Sequence, residues 1–165
     1  MKSCRHRVAL AWAVTSTALA LVTVTAAPTP AGADPSTDTS AARLDPDYAA
    51  GKAAIDAKDW NAAIKVLSSA ALRDPRNADI QNDLGYAYRN VGQLDLAFQH
   101  YERALQLNPR HRGAHEYIGE AYLLVNNLAK AEEHLSALEK ICLIPCEEYG
   151  DLQKAIAAYR QRAGR

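Results

Sequence analysis

A single Phe and few β-branched runs beyond the amino terminus leave little from which to build a sheet. With alanine abundant throughout, the fold class this predicts is all-α. No excess of basic charge is present either, since 19 Lys and Arg stand against 19 Asp and Glu. That balance excludes the clustered basic face by which nucleic-acid-binding proteins hold phosphate. The chain also lacks a nucleophile elbow, a Gly-rich phosphate loop and any carboxylate pair that differs from ordinary helix-surface charge. Neither an enzyme nor a cofactor is expected. Cysteine is scarce at three residues, and none forms the Cys-x-x-Cys pattern of a thioredoxin-like redox site.

What is present begins with an address. Residues 1–7 are basic, residues 8–27 are apolar and rich in Ala, Val and Leu, and the stretch after them is small and turn-forming, ending Ala31, Gly32, Ala33. This order is that of a secretory signal peptide over residues 1–33 with a small-x-small cleavage site. Cleavage is expected after Ala33, with Ala26 as the second choice. The competing reading is a retained anchor, because about 20 apolar residues can span a bilayer, although Thr15, Ser16, Thr17, Thr23 and Thr25 dilute the run. No twin arginine occurs, and Cys4 precedes the apolar run, so it is not placed for lipidation of a mature first residue. The expected product is periplasmic or secreted, with no membrane contact after cleavage. Loss of Lys2, Arg5 and Arg7 would leave 16 basic residues against 19 acidic ones, a charge of about −3. Residues 34–43 are polar, proline-containing and aperiodic, and read as a disordered leader.

The rest of the 165 residues suffices for one domain with a sizeable core. Its organising unit is residues 78–111. Leu84, Gly85, Tyr88, Ala97, Tyr101 and Ala104, followed by Pro109, fit two short helices turned back on each other. Gly85 and Ala97 remove side-chain bulk where the two backbones would approach, at a cost in helix propensity of about 1 kcal/mol for glycine. Leu84, Tyr88, Leu94 and Tyr101 would surround that contact, and Pro109 ends the second helix. Sliding the sequence by 34 residues repeats the pattern: Gly85 maps to Gly51 and Gly119, Ala97 to Ala63 and Ala131, Tyr101 to Leu67 and Leu135, and Pro109 to Pro75.

Over residues 44–143 the chain therefore resembles the tetratricopeptide repeat (TPR) family. It departs from the family where Asp47, Gln81 and His115 replace a frequent Trp, where Ala54 stands for Tyr88 and Tyr122, and where Leu143 replaces the third proline. The resemblance implies a right-handed α-solenoid of three hairpins, 44–77, 78–111 and 112–145. Helices are expected at about 45–58, 60–73, 78–91, 94–107, 112–125 and 128–141, with Asp45, Pro46 and Asn77 supplying starts. Residues 146–165 break the register. Tyr149, Leu152, Ile156 and Tyr159 form one stripe there, with acidic residues at the start and basic ones at the end of the helix. This resembles the lone terminal helix that closes many TPR arrays.

The resemblance also implies a concave groove lined by the first helix of each hairpin and occupied by a protein or peptide. The inward rows become Tyr48, Asn82 and Glu116; Lys52, Tyr86 and Glu120; Ile55, Arg89 and Leu123; Asp56, Asn90 and Leu124. The candidate partner-binding residues are thus Tyr48, Lys52, Asn82, Tyr86, Arg89, Asn90, Glu116, Glu120 and Leu123, set against the default that any polar surface residue is simply solvated. Some family members clamp a terminal carboxylate. The matching places here hold Tyr48, Lys52, Asp83, Gly113 and Tyr117, of which only Lys52 is basic, so that clamp is not expected.

Cys142 and Cys146 flank Pro145, and in an oxidising compartment a disulfide is the natural outcome. Such a bond would stabilise by roughly 2 kcal/mol on the chain-entropy argument. Free thiols, or a redox or soft-metal site, are the alternatives. His111 and His115 are four apart, as metal ligands sometimes are, but Arg110 and Arg112 flank the first; both read as surface histidines, with no metal expected. The resulting expectation is an exported, non-catalytic adaptor that binds a protein or peptide, with self-association through the ends of the stack as a structural variant. The rival is a periplasmic thiol-redox or metal-handling protein using Cys142 and Cys146.

Overall fold

The computed structural model describes residues 45–164; the signal segment expected at 1–33 and the leader at 34–43 lie outside the described residues. Seven helices and no strand make up the described chain: α1 (Pro46–Asp56), α2 (Trp60–Arg73), α3 (Ala78–Asn90), α4 (Leu94–Leu107), α5 (Arg112–Leu124), α6 (Leu128–Ile141) and α7 (Glu147–Ala163). None of them is long and apolar enough to cross a membrane. Each start has a local chemical reason. The carboxylate of Asp45 accepts from the amides of Asp47 and Tyr48 with Pro46 in the first turn, and Asn77 accepts from Asp79 and Ile80. Asp59 and Asn127 cap α2 and α6 in the same way, satisfying amides that a helix start leaves without partners.

The turn inside each hairpin is closed identically. Lys58, Gly92 and Asn126, spaced 34 apart, have φ of 56°, 79° and 58°. The following amides of Asp59, Gln93 and Asn127 donate back to the carbonyls of Ala54, Tyr88 and Tyr122 at 2.9, 3.0 and 2.8 Å. This is the left-handed helix ending that glycine adopts freely and that a side chain with a Cβ resists by about 1 kcal/mol or more. Only the middle hairpin has the unstrained residue. Thermal or urea melts should accordingly show Gly92→Ala destabilising by about 1 kcal/mol, even though its side chain would meet nothing within 4 Å. Lys58→Gly should stabilise by about 0.5 kcal/mol, the relief of strain exceeding the added freedom of the unfolded chain. Equal responses at the two sites would contradict this account.

Within each pair the helices meet through the small residues. Ala63, Ala97 and Ala131 are fully buried. A Cβ placed on Gly51 would lie 2.4 Å from Leu67, and one on Gly85 would lie 2.6 Å from the ring of Tyr101, so glycine is what lets these second-helix side chains cross the first helix. At Gly119 the nearest intruder is Leu152 of α7 at 2.7 Å. The lone helix thus presses into the glycine notch of the last hairpin. It packs on both α5 and α6, burying Leu152 and Ile156 with Leu123, Ala131 and Leu138.

Adjacent hairpins join through α2 against α3 and α4 against α5. First helices also approach one another, α1 to α3 and α3 to α5, more closely than the second helices do. The stack therefore curves with α1, α3, α5 and then α7 along its inner side. Leu67, Ala70, Ile80 and Leu84 form the core between the first two hairpins, and Ala97, Tyr101, Ile118 and Ala121 the core between the next two.

Candidate functional site

The inner face carries a row of aromatic rings contributed by successive hairpins. Trp60 stands edge-on to Tyr86 at 5.7 Å between centroids, and Tyr86 lies 4.8 Å from Tyr117. The Arg89 guanidinium sits over both tyrosine rings, 5.2 Å and 5.4 Å from their centres, and pairs with Glu120 of the next hairpin. Such an arrangement combines ring quadrupoles with an opposite charge. Its side chain is 14% exposed, so Arg89 and Glu120 spend much of their charge on each other. Tyr86 and Tyr117 are half-buried. Asn90 is exposed, its amide donating to the Tyr86 carbonyl at 2.8 Å.

Further toward the start of these helices the surface turns acidic. Lys52 of α1 lies 3.5 Å from Asp83 of α3, and Asp83 also takes a hydrogen bond from the Asn82 side-chain amide at 3.4 Å. Burial pushes the Asp83 carboxyl up in spite of the nearby ammonium. Next to this pair is a cleft of about 300 Å³ walled by Asn82, Asp83, Gly113, Glu116 and Tyr117 on one side and by Glu147, Glu148 and Asp151 of α7 on the other. Arg112 reaches Glu148 at 3.4 Å and Lys154 reaches Asp151 at 2.8 Å. Glu116 is only 9% exposed and makes no hydrogen bond or ion pair among the described residues. Burial, then the charges of Glu120, Asp151 and Glu148, push its carboxyl up to about 8. Asn82 is 6% exposed, and its amide oxygen is buried with no donor.

Of the nine groove residues expected from the repeat shift, Lys52, Asn82 and Glu116 line the cleft, and Tyr86, Arg89 and Glu120 form the ring and charge cluster beside it. Leu123 does neither. It is 8% exposed and packed with Ala131, Leu138 and Leu152, because α7 covers that flank of α5, so it serves the core and offers nothing to a partner. The three acidic residues of α7 were outside the expected rows altogether. Acidic residues at a helix start suit the helix dipole, and that sufficient explanation conceals their second position as a groove wall.

The histidines also differ from expectation. His111 caps α5, its Nδ1 accepting from the Ala114 amide, and its Nε2 lies 2.9 Å from Asp79 of the preceding hairpin. His115 is buried rather than on the surface, because α4 and α6 close over that side of α5. Its Nε2 donates to the Pro109 carbonyl at 3.1 Å, which leaves Nδ1 to accept from Nδ1 of His134 at 2.9 Å. Burial, followed by the nearby His115, pulls His134 down to about 4. Cys142 and Cys146 are joined with sulfurs 2.12 Å apart, at the entrance to α7.

Comparison with known proteins places this geometry. Residues 78–111 match the tetratricopeptide repeat family. Over 102 residues the chain is 32% identical to an uncharacterized protein, ycf37, of Pyropia yezoensis, the alignment covering 54% of this chain and 57% of that protein. Over 93 residues it is 27% identical to human protein O-mannosyl-transferase TMTC3, covering 55% of this chain but 10% of that protein. The chain therefore spans about a tenth of the length of that transferase. Among solved structures, the TPR2B domain of yeast Sti1 in its complex with pHsp70 is similar with a TM-score of 0.64 and 20% identity, covering 76% of this chain and 98% of that one. The Yersinia enterocolitica type III secretion chaperone SycD, in complex with a peptide of the translocator YopD, is similar at a TM-score of 0.62 and 19% identity, covering 74% and 92%.

Proposed function

We infer, for a chain that belongs to the tetratricopeptide repeat family, that it is an exported, non-catalytic scaffold which binds a segment of another protein along its inner face. The observation that carries this reading is the continuous inner surface of Trp60, Tyr86, Tyr117, Lys52 and Asn90, contributed by the first two hairpins and the start of the third on rigid helices. Side chains already held in place lose little freedom on binding, which leaves more of the contact energy for affinity. The TPR2B domain of yeast Sti1 forms a complex with pHsp70 and SycD one with a peptide of YopD, and capture of a protein segment is proposed for this chain too. Export rests on the basic, apolar and small-residue order of residues 1–33. A bond between Cys142 and Cys146 suits the oxidising compartment that export would provide.

The test places a photo-crosslinking residue at Lys52 or Asn90 in the groove, and at Arg103 on the exposed side of α4 as control, in cells that make the protein. The two groove positions should trap the same partner with several-fold greater yield than Arg103. Yield that is equal at all three, or greatest at Arg103, would remove the groove as the binding surface.

A further inference from the structure

Resting on that reading of the inner face, we propose that the acidic cleft between α3, α5 and α7 receives a lysine or arginine side chain from the bound segment, its cationic head held by the Glu116 carboxylate. Five carboxylates line the cleft, those of Asp83, Glu116, Glu147, Glu148 and Asp151, against the single ammonium of Lys52. Lys52 is engaged by Asp83, Arg112 draws on Glu148 and Lys154 on Asp151. Glu116 and Glu147 retain no ion pair among the described residues. A carboxylate nine-tenths buried with no ion-pair partner is an expensive arrangement, because the distant charge of Arg89 only partly offsets desolvation. A cation delivered by a partner supplies what the fold leaves out.

The size and form of the cleft favour a side chain over a metal ion. Among the described residues no three His, Cys, Asp or Glu groups converge closely enough to ligate one. The carboxylates instead surround a space of about 300 Å³, open to the aromatic row where the stem of a lysine could lie along Tyr117. Asn82, with its unpartnered amide oxygen, adds a neutral acceptor on the same wall. The sign is opposite to that of a carboxylate clamp, so the preferred partner segment is basic rather than acid-ended.

Capped Ala-Lys-Ala peptide, its N-acetyl-lysine counterpart and an Ala-Glu-Ala peptide serve as probes, followed by amide NMR of the protein. The lysine peptide should move the Gly113 amide and the Asn82 side-chain amide, and the other two should not. Glu116→Gln should weaken that binding about tenfold at pH 8.5, as should Asp151→Asn to a smaller degree, while Glu102→Gln on α4 leaves it unchanged. Binding of the wild type should tighten between pH 6 and pH 8.5, as Glu116 loses its proton to accommodate the cation, with Asp83, Glu120, Glu148, Asp151, Lys52 and Arg89 as the surrounding charges. Equal shifts with acetyl-lysine, or equal weakening by Glu102→Gln, would overturn the proposal. If Lys52 and Asn90 trap a partner in cells while the lysine peptide moves nothing, the groove remains and only the basic occupant is lost.

Discussion

Tyr101→Ala should cost about 3 to 5 kcal/mol of stability, the usual toll for removing a large ring from a packed interior. For a domain whose total stability is on the order of 5 to 15 kcal/mol, that is a third or more of the total at the lower end of the range. Tyr101 is fully buried, lies over the glycine notch of α3 and packs with Ala97, Ile118 and Ala121 at the joint between the second and third hairpins. Losing it should therefore loosen two hairpins at once. The hydroxyl is a separate matter, because it is buried with no hydrogen-bond partner. Tyr101→Phe should consequently be neutral or stabilising by up to about 1 kcal/mol. Gly85→Ala supplies the complementary check. In the wild-type background its Cβ would be forced against a stiff ring at 2.6 Å and should cost about 1 to 3 kcal/mol. Combined with Tyr101→Ala, the same change should become favourable through helix propensity. Urea melts of the four proteins measure the coupling, and simple additivity would show that the notch and ring do not act as a pair.

Glu116→Gln should stabilise the protein by roughly 3 to 5 kcal/mol at pH 8.5, the upper end being the full linkage and the lower end allowing for screening by water, and hardly at all at pH 4. The folded protein holds this carboxyl up to about 8, chiefly by burial and then by Glu120, Asp151 and Glu148, whereas the unfolded chain ionises it near 4.5. A raised group of this kind binds more protons in the folded state across that interval. Its contribution is whole below pH 4.5 and is lost as pH rises toward 8, and glutamine escapes that loss. His134 slopes the other way. Buried beside His115, with Glu133 and Lys130 nearby, it titrates at about 4 when folded and at 6.5 when unfolded. Stability tied to it is whole above pH 6.5 and declines as pH falls to 4. The difference between wild type and Glu116→Gln removes the His134 slope, which is set by burial, His115, Glu133 and Lys130, and keeps that of Glu116 with the carboxylates coupled to it. A difference that stays constant from pH 4 to pH 8.5 would mean that Glu116 is ionised like any exposed carboxylate.

The helices were legible in the sequence because their information is local and thrice repeated. Glycine, alanine and large apolar residues recur at a fixed interval, and Asp45, Asn77 and the prolines punctuate them, so that α2, α4 and α6 begin and end where the periodicity places them. Even the left-handed turn residues obey the interval, although Lys58 and Asn126 conceal it by not being glycine. The groove was legible only in part. Residue spacing on one helix gives the rows, but it does not say that Arg89 and Glu120 satisfy one another, nor that His115 meets His134, nineteen positions away on α6. The acidic wall was illegible for a related reason. It unites residues of α3 and α5 with residues of α7, and the last of these obeys no repeat from which its orientation might be extrapolated.

Glu147, Glu148 and Asp151 all belong to the one helix that stands outside the periodic part of the chain. Grafting that tail onto another array with a free glycine notch should carry its three carboxylates with it and leave the recipient's hairpins as they were. Three of the five carboxylates of the cleft can in this way be exchanged as one terminal segment, with no redesign of the interior that keeps the hairpins folded.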